Sequence, residues 1–293
     1  MTTGEPGSKA ASAPFGPGWS ASLRKGSEAE LRSWVDLAMA ACDEADAIAL
    51  AGFRQDLVVT RKPDRSFVTE ADQEIERLLR DRILAAFPGH GLVGEEYGEE
   101  AGAADVRWFL DPIDGTHNFL RGVPVFATLV AVEREGELQA AVISAPALGG
   151  RWFGLRGGGA WALGMGSRRP RPLHVSQVAA IADAQLLYGE GPAIEASGVA
   201  PGFRDLLAMA WRTRGFGDFW GYTLVAEGAA EAMIEEGLSA WDIAAPMLLI
   251  EEAGGRVTDL AGTRSLTTQN YLASNGLLHE GLRTSLLTPP AKG

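Results

Sequence analysis

Apolar side chains recur at helical spacing in two stretches of the N-terminal half of the chain. The first stretch runs from Leu31 to Phe53 and is preceded by Ser27 and Glu30, which form the capping box of a helix N-terminus. The second runs from Ile75 to Phe87, where a Pro-Gly pair stops it. The pattern therefore predicts two long amphipathic helices, with one short strand, Leu57 to Thr60, between them.

The pattern then changes to short apolar or alternating runs separated by Gly, Glu and Pro, which are typical of β-strands. The runs are LVGEE, VRWFLD, FATLVAVER and LQAAVISAPAL, and GLRGGGAWALG after them predicts a hairpin. From Leu173 onward helices and strands alternate, and a last long helix is predicted from Trp241 to about Gly254. Strands placed between helices predict a layered fold of the α/β class.

Composition and charge narrow the kinds of partner. The chain has 293 residues, 46% of them hydrophobic and 22% charged, which is ordinary for a globular protein. Its net charge of −12 argues against nucleic acid and anionic membranes as partners, because both reward clustered Lys and Arg. With no apolar run of membrane-spanning length and no signal-peptide stretch, a soluble cytoplasmic protein is expected. Residues 1 to 26 are rich in Gly, Ser, Ala and Pro and predict a disordered tail.

Cysteine and histidine give no sign of a disulfide or of a structural zinc site. Cys42 is the single cysteine, and its apolar helical surroundings predict a small buried side chain. The four histidines are scattered along the sequence and no cysteine pair accompanies them. His117 is expected to lie on the surface or to contact residues that bind a metal, and not to be a metal ligand itself.

One motif carries the candidate chemistry: Asp111 to Phe119 reads DPIDGTHNF. A buried strand containing WFL precedes the motif and would bring both carboxylates to its C-terminal end. Pro112 prevents the strand from continuing as a regular ladder, and Gly115 permits a tight turn. The N–H groups that open the next element attract an anion, which the carboxylates would repel unless cations lie between them. Oxygen ligands at this spacing suit Mg²⁺, so the motif predicts hydrolysis of a phosphate ester.

Three further segments accompany this motif. They are KPDRSFVTEAD (Lys62–Asp72), GEE (Gly94–Glu96) and WDIAAPMLLIEEAGG (Trp241–Gly255). In this order the four segments resemble the inositol monophosphatase family of lithium-sensitive, metal-dependent phosphatases, and the likeness covers residues 28 to 288. The resemblance implies an αβαβα sandwich of the sugar-phosphatase type. Its N-terminal half, residues 27–172, would carry most metal ligands, and its C-terminal half, residues 173–288, the others. It also implies a homodimer.

The resemblance further implies a site with two or three Mg²⁺ ions and direct attack by a metal-activated water. The implied metal ligands are Glu95, Asp111, the backbone carbonyl of Ile113, Asp114 and Asp242. Thr116, hydrogen-bonded to Asp72, would orient the attacking water, and Glu95 would accept its proton. Backbone N–H groups of Gly115 and Thr116 would bind the phosphate, and Lys62 could approach the phosphate or the water.

Several of these acids have simpler alternatives. Asp72 and Asp242 each stand at a predicted helix start, where an acidic side chain caps the helix, and one carboxylate could serve both roles. Glu96, Glu99 and Glu100 are interpreted as a solvated acidic loop, although Glu96 occupies a motif position.

The identity of the phosphate ester is predicted from three short segments. GDFWGY (Gly217–Tyr222), LVAEGAAE after it and AAP in the last helix resemble the histidinol-phosphatase branch of the family. L-Histidinol phosphate carries an ammonium and an imidazole, so carboxylates are expected near it. Asp218 and Glu235 are the candidates, with Asp242 beside them; the alternatives are a turn aspartate and a solvated strand-edge glutamate. Inositol-1-phosphatase is the second hypothesis. A catalytically silent regulatory homologue is the third. The chain retains every implied metal-binding and catalytic acid, and an inactive homologue would be expected to have lost at least one of them.

Overall fold

The computed structural model describes residues 28–55, 59–61 and 67–289. The α-helices in these ranges are α1 (Glu28–Gly52), α2 (Glu70–Ala86), α3 (Thr116–Leu120), α4 (Gly191–Ser197), α5 (Phe203–Met209), α6 (Asp218–Ala226), α7 (Ala240–Glu252) and α8 (His279–Leu287). The β-strands are β1 (Val59–Arg61), β2 (Phe67–Thr69), β3 (Gly91–Gly94), β4 (Gly98–Glu100), β5 (Val106–Asp114), β6 (Ala127–Arg134), β7 (Glu137–Ala145), β8 (Gly150–Leu155), β9 (Gly159–Gly164), β10 (Ser167–Pro172), β11 (Gln185–Tyr188), β12 (Arg212–Arg214), β13 (Ala232–Glu236), β14 (Arg256–Thr258) and β15 (Asn270–Ser274). The predicted tail, the Ser27 cap and Lys62 lie outside the described residues.

Two sheets of unequal size organise the chain. The large sheet has the strand order β10-β9-β8-β7-β6-β5-β3-β4 and is antiparallel except for the parallel pair β3 and β5. The small sheet has the order β12-β11-β13-β15-β14, in which β11 is parallel to both of its neighbours and β15 is antiparallel to both of its own. Strands β1 and β2 form a separate antiparallel pair.

Helices form three layers around the two sheets. α1 and α2 cover one face of the large sheet, where Trp34 and Val142 belong to the same buried core. α6 and α7 lie between the sheets, in a core that joins Leu129 of the large sheet, Leu248 of α7 and Met233 of the small sheet. α4, α5 and α8 cover the outer face of the small sheet. Both predicted N-terminal helices and the predicted αβαβα sandwich are confirmed.

The middle of helix α7 is buried because both sheets pack against it. All residues from Ile243 to Ile250 are buried. A helix between two apolar surfaces has no solvent-facing side, which explains why this stretch shows a continuous apolar run instead of amphipathic spacing. The predicted helix from Trp241 to about Gly254 is confirmed, with observed bounds of Ala240–Glu252.

The outer edges of both sheets are short or interrupted. Strands β4, β12 and β14 each contain three residues. Strand β10 is longer, but Pro170 and Pro172 have no backbone N–H, and its register against β9 shifts between Ser167 and Arg171. The side chain of Arg169 on this strand is exposed. None of these four edges presents a long, regular row of backbone hydrogen-bonding groups.

Two predictions about burial are confirmed. Cys42 is buried in α1, and burial raises the pKa of its thiol to about 12. Glu99 and Glu100 are exposed as predicted, whereas Glu96 is half-buried. The predicted loop is wrong for Glu99 and Glu100, because the chain turns back after Tyr97 and pairs with β3 as β4.

The two sheets divide the sequence, but they do not divide the core. The strands of the large sheet all precede Leu173, and those of the small sheet all follow it. Helix α7 nevertheless packs against both sheets. The boundary at Leu173, like the homodimer and the cytoplasmic location, stays a prediction. Within the described residues, no helix combines the length and the apolar composition needed to cross a membrane.

Candidate functional site

Strand β5 brings Asp111 and Asp114 together because it contains an extra residue. Between these two positions, three steps along β5 correspond to two steps along β6. In a regular strand, side chains three positions apart point to opposite faces, so the extra residue returns Asp114 to the face of Asp111. The bulge contains Pro112, whose carbonyl accepts a hydrogen bond from the Thr128 hydroxyl at 2.8 Å. The predicted interruption of the ladder at Pro112 is confirmed.

Gly115 makes the turn that follows the bulge. Its φ is +80°, in the left-handed region, and a Cβ there would lie 2.9 Å from the carbonyl oxygen of Val125. Helix α3 begins at the next residue, and the Thr116 hydroxyl donates to the carbonyl of Ile113 at 2.9 Å. The predicted tight turn is confirmed.

Asp72 caps the N-terminus of α2. Its Oδ2 accepts hydrogen bonds from the backbone N–H of Thr69 at 2.8 Å and from the Thr69 hydroxyl at 2.5 Å, which confirms the predicted cap. The expected hydrogen bond between Thr116 and Asp72 is not formed, because Thr116 donates to Ile113 in its own turn and Thr69 occupies Oδ2. The other oxygen, Oδ1, is buried, and no hydrogen-bond donor reaches it within the described residues.

Helix α7 brings a third carboxylate to the pair on β5. Asp242 lies in its first turn, where Oδ2 accepts a hydrogen bond from the backbone N–H of Ser239 at 2.7 Å. One oxygen each from Asp111, Asp114 and Asp242 lie within 4.8 Å of one another. Asp242 therefore caps its helix and also belongs to the acid cluster, so the two predicted roles, helix cap and metal ligand, are compatible.

Glu95 lies beside this cluster, on the turn between β3 and β4. Its backbone N–H donates to the carbonyl of Leu110 at 3.2 Å, which extends the parallel pairing of β3 with β5 up to the residue before Asp111. The Glu95 side chain is half-buried and lines the same cavity as Asp111. The structure thus places together all four carboxylates expected as metal ligands.

Burial and crowding oppose the ionisation of these acids. Burial, followed by neighbouring carboxylates, raises the pKa values of Asp111 and Asp114 well above their usual range. Burial, assisted by the charge of Glu95, raises the pKa of Asp242 to about 7 and that of Asp72 to about 6. Asp111 Oδ1 is buried, and no donor reaches it in the described part of the chain. A hard divalent cation would relieve the repulsion and bind this oxygen, so the residues fit Mg²⁺.

Two cavities share His117 and Asp218 as lining residues. The smaller cavity, of about 160 Å³, contains the clustered acids. The larger, of about 620 Å³, is lined by Glu235 and by the aromatic side chains of Phe216 and Trp220. His117 itself is exposed, in agreement with the surface role expected for it. An anion in the smaller cavity could therefore carry an organic group into the larger one.

Glu235 is buried inside the small sheet. It lies on β13, which has neighbouring strands on both sides, and only 7% of its surface is exposed. The alternative of a solvated strand-edge glutamate is therefore wrong. A Cβ on Gly189 would overlap the Glu235 carboxylate, so the glycine makes room for the acid. Burial, assisted by the charge of Asp218, raises the pKa of Glu235 to about 8.

Asp218 connects the acid cluster to Glu235. It begins α6 with a φ of +58°, a conformation that residues other than glycine rarely adopt. The Asn118 side-chain amide donates to its Oδ2 at 2.9 Å, and its own backbone N–H donates to Glu235 at 3.3 Å. The next N–H, of Phe219, donates to Asp114 at 2.7 Å. The start of α6 thus bridges the two cavities, and the alternative of a simple turn aspartate does not describe Asp218.

Sequence reasoning missed Asn118 and one aromatic pair. Asn118 stands inside the DGTHN motif, which is the signal that could have drawn attention to it. The rings of Phe216 and Trp220 are stacked, with centroids 4.7 Å apart and planes inclined by 28°. A spacing of four residues between two aromatic side chains is the signal for such a pair at a helix start.

Known proteins are similar to this chain in sequence. The model of the inositol monophosphatase family matches residues 30–288. The chain is 44% identical over 251 residues to a histidinol-phosphatase of Streptomyces coelicolor, covering 84% of this chain and 94% of that protein. It is 36% identical over 246 residues to an inositol-1-monophosphatase of Rhizobium meliloti, covering 81% of this chain and 90% of that protein.

A solved structure supports the same relationship. The extragenic suppressor protein suhB of Bartonella henselae superimposes with a TM-score of 0.78 at 27% identity, over 87% of this chain and 98% of that one. The match of the family model spans all four sequence motifs and the three converging aspartates. The chain therefore belongs to the inositol monophosphatase family.

Proposed function

We propose that this phosphatase is a Mg²⁺-dependent phosphomonoesterase that cleaves a small phosphate ester by direct attack of water. One observation carries the proposal: oxygens of Asp111, Asp114 and Asp242 converge within 4.8 Å in a largely buried site. Carboxylates this close repel one another, so their common ionisation requires a cation among them. Glu95 and the backbone carbonyl of Ile113 complete the proposed ligand set for two or three ions.

When bound, Mg²⁺ supplies positive charge to the phosphate and lowers the pKa of a bound water. The protein groups have separate roles. Glu95, half-buried beside Asp111, accepts the proton of the attacking water as the bond between phosphorus and the ester oxygen breaks, and the leaving alkoxide takes a proton from solvent water. The Thr116 hydroxyl donates a hydrogen bond to the backbone carbonyl of Ile113, so the lone pairs of its oxygen can accept a hydrogen bond from that water and orient it.

Two further groups take part in the proposed reaction. We assign the buried Asp72 Oδ1 to the group of side chains that hydrogen-bond with the attacking water, together with Glu95 and Thr116. This oxygen is available because no donor reaches it within the described residues. Backbone N–H groups of Gly115 and Thr116, at the start of α3, bind the phosphate. The approach of Lys62 to the phosphate stays a prediction, since that residue lies outside the described part of the chain.

We propose L-histidinol phosphate as the substrate. The larger cavity combines the carboxylates of Asp218 and Glu235 with the stacked rings of Phe216 and Trp220. Buried carboxylates bind an ammonium strongly, and an imidazole can stack on an aromatic ring. The relative of 44% identity is named a histidinol-phosphatase, which supports this choice. Inositol-1-phosphatase is the second candidate, because a relative bears that name and Glu235 could also accept hydrogen bonds from inositol hydroxyls.

One assay tests both the metal-dependent mechanism and the choice of substrate. It measures phosphate release from L-histidinol phosphate and from inositol 1-phosphate at the same Mg²⁺ concentration. We expect faster release from the first ester, loss of activity with a chelator and recovery with Mg²⁺. Equal or faster release from inositol 1-phosphate would favour the second candidate. Full activity in excess chelator would contradict the metal mechanism. Binding of Mg²⁺ without turnover of either ester would instead favour the catalytically silent homologue.

A further inference from the structure

Helix α2 carries a second buried carboxylate, one turn after Asp72. Glu76 is fully buried, and its side chain faces the turn between β3 and β4. Its Oε2 accepts a hydrogen bond from the backbone N–H of Glu96 at 2.6 Å, and its Oε1 accepts one from the backbone N–H of Tyr97 at 3.2 Å. These two donors directly follow Glu95 in the sequence, so Glu76 binds the backbone that carries the Glu95 side chain.

The residues around Glu76 fit this carboxylate closely. A Cβ on Gly94 would overlap Glu76 Oε1, so only glycine at position 94 lets the turn approach the helix. Arg80, one turn further along α2, donates to the same Oε1 at 2.8 Å through Nε. Its guanidinium also donates to the carbonyl of Gly98. The Glu76–Arg80 pair therefore contacts the backbone at three positions in and after the turn.

A second contact between α2 and this turn lies at the surface. The Tyr97 hydroxyl accepts a hydrogen bond from Arg77 at 2.9 Å and donates to the carbonyl of Gln73 at 3.3 Å. Tyr97 is 45% exposed, so water competes for these hydrogen bonds and their net contribution is small. The buried contacts of Glu76 dominate the attachment of the turn to α2.

We propose that Glu76 is a positioning residue for Glu95: by binding the backbone of Glu96 and Tyr97, it holds the Glu95 carboxylate beside Asp111. Because Asp72 lies in the first turn of α2 and Glu76 follows one turn later, the helix fixes Asp72 and Glu95 relative to each other. The inference rests on the proposed function for its Mg²⁺ and activity readouts, whereas hydrogen exchange in the metal-free protein is independent of it. Hydrogen-bonding partners behind metal-binding side chains typically change metal affinity or activity 10- to 100-fold when replaced, which is about the effect expected here.

Glu76→Gln tests this role, because it preserves the side-chain volume but turns an NH₂ group toward a backbone donor. In the metal-free protein, hydrogen exchange at the amides of Glu96 and Tyr97 should accelerate by about 10-fold. The Kd for Mg²⁺, measured by calorimetry, and the Mg²⁺ concentration for half-maximal activity should both rise about 10- to 100-fold. The kcat should fall, whereas the KM for the phosphate ester should change little.

Two matched variants serve as controls. Tyr97→Phe removes the exposed hydroxyl contact on the same turn, and Glu44→Gln removes an exposed ion pair with Arg82, at 2.7 Å, between α1 and α2. Both should retain wild-type exchange and Mg²⁺ affinity. If Glu76→Gln does not fold, Arg80→Lys replaces it, since a lysine cannot reproduce the forked contacts and should shift the Mg²⁺ dependence in the same direction.

Unchanged Mg²⁺ affinity in folded Glu76→Gln, or in Arg80→Lys where that variant replaces it, would overturn the proposal. An equal loss of affinity in Tyr97→Phe would also overturn it. Absence of phosphatase activity in the wild-type protein would contradict the proposed function instead. In that case hydrogen exchange in the metal-free protein would still decide whether Glu76 positions the turn that carries Glu95.

Discussion

Each ionised carboxylate of the acid cluster lowers the stability of the folded protein when no cation is bound. Asp242→Asn removes one negative charge and keeps an oxygen for the Ser239 N–H. Because burial, assisted by Glu95, raises the pKa of Asp242 to about 7, its ionised form destabilises the metal-free protein at pH 8. We expect metal-free Asp242→Asn to be more stable than the wild type by on the order of 1 kcal/mol, and its stability to respond little to Mg²⁺.

Urea unfolding at pH 8, with chelator and with Mg²⁺, measures both effects. Asp205→Asn is a suitable control, because this exposed aspartate also occupies the first turn of a helix, α5. A metal-free Asp242→Asn protein that is less stable than the wild type, with its Mg²⁺ response intact, would contradict the prediction.

Glu235 should act on the substrate and not on the metal. The pKa of Glu235 is about 8 because of burial, and a bound ammonium would favour its ionised form. Glu235→Gln keeps the shape of the side chain and removes the charge that the ammonium would pair with. We expect kcat/KM for L-histidinol phosphate to fall about 10- to 100-fold, the range for a lost charge-assisted hydrogen bond, with Mg²⁺ half-saturation nearly unchanged. Steady-state kinetics with a phosphate ester that lacks an amine is the control, and an equal loss with that ester would show that Glu235 does not recognise the ammonium.

His279 should make stability depend on pH. The ring is fully buried, with Nδ1 hydrogen-bonded to Ser274 and Nε2 to Thr258, both at 2.8 Å. Burial lowers its pKa from 6.5 to about 4. Between these values the unfolded chain binds a proton that the folded protein does not, so stability present above pH 6.5 is lost as the pH falls toward 4. The loss approaches about 3 kcal/mol.

His279→Gln should abolish this loss. Because the raised pKa values of Asp72 and Asp242 contribute the opposite slope, the informative quantity is the difference in unfolding free energy between variant and wild type. Measured in chelator from pH 7 to pH 4, this difference should move steadily in favour of the variant. A difference independent of pH would show that His279 does not titrate as inferred.

The acids of the site could be predicted from sequence because each stands in a motif with its own local structure. Asp111 and Asp114 end a buried strand, and Asp242 opens a helix. The partner of Thr116 could not be predicted. Its hydroxyl bonds to Ile113 instead of Asp72 because the carbonyl of its own turn is within reach, whereas the separation of α2 and α3 is set by packing.

At the scale of elements, the bulge in β5 depends on chain length more than on residue type. Pro112→Ala keeps the extra residue, so we expect a stability change within about 1 kcal/mol and an intact Mg²⁺ response. Insertion of one alanine between Thr128 and Leu129 would give β6 the matching extra residue, restore regular pairing with β5 and turn Asp114 to the face opposite Asp111. Calorimetry should then detect no Mg²⁺ binding, although circular dichroism still reports a folded protein. Retained binding in the insertion variant would contradict this account of the bulge.

Helices α1, α2 and α7 and strand β5 could be predicted because apolar periodicity, apolar runs and breaker residues mark them. The attachment of the β3–β4 turn to α2 could not be predicted from the sequence. Glu76 accepts hydrogen bonds from backbone N–H groups, and these groups are the same in every residue except proline, so no side-chain pattern reveals the contact. For the same reason the acidic residues Glu99 and Glu100 predict a loop, whereas the structure has strand β4 there.

At the scale of the whole molecule, a bound cation would join elements that are far apart in sequence. Asp111 and Asp114 belong to the large sheet, whereas Asp242 belongs to α7 between the sheets. The unfolded chain cannot present these oxygens together, so Mg²⁺ at 100 times its Kd should add about 2.7 kcal/mol of stability. Calorimetry should show a Tm roughly 5 to 10 °C higher in Mg²⁺ than in chelator. An equal Tm in both solutions would contradict folding-coupled binding.

The order of layers could be predicted from the alternation of helices and strands, but the strand order of the small sheet could not. Its central strand β13 is parallel to β11 on one side and antiparallel to β15 on the other. Long segments of sequence separate β13 from both partners. Such pairings depend on which apolar faces meet around α6 and α7, and this information is spread over the whole chain.

The short and interrupted sheet edges restrict how copies of this chain can assemble. A strand from a second copy can extend a sheet only along a row of free N–H and C=O groups. In the described part of the chain, β4, β12 and β14 offer three residues each, and the prolines of β10 remove donors from the fourth edge. Two copies would therefore associate through side-chain surfaces and not through a shared sheet. The same edges protect the folded protein against strand-by-strand polymerisation into fibrils.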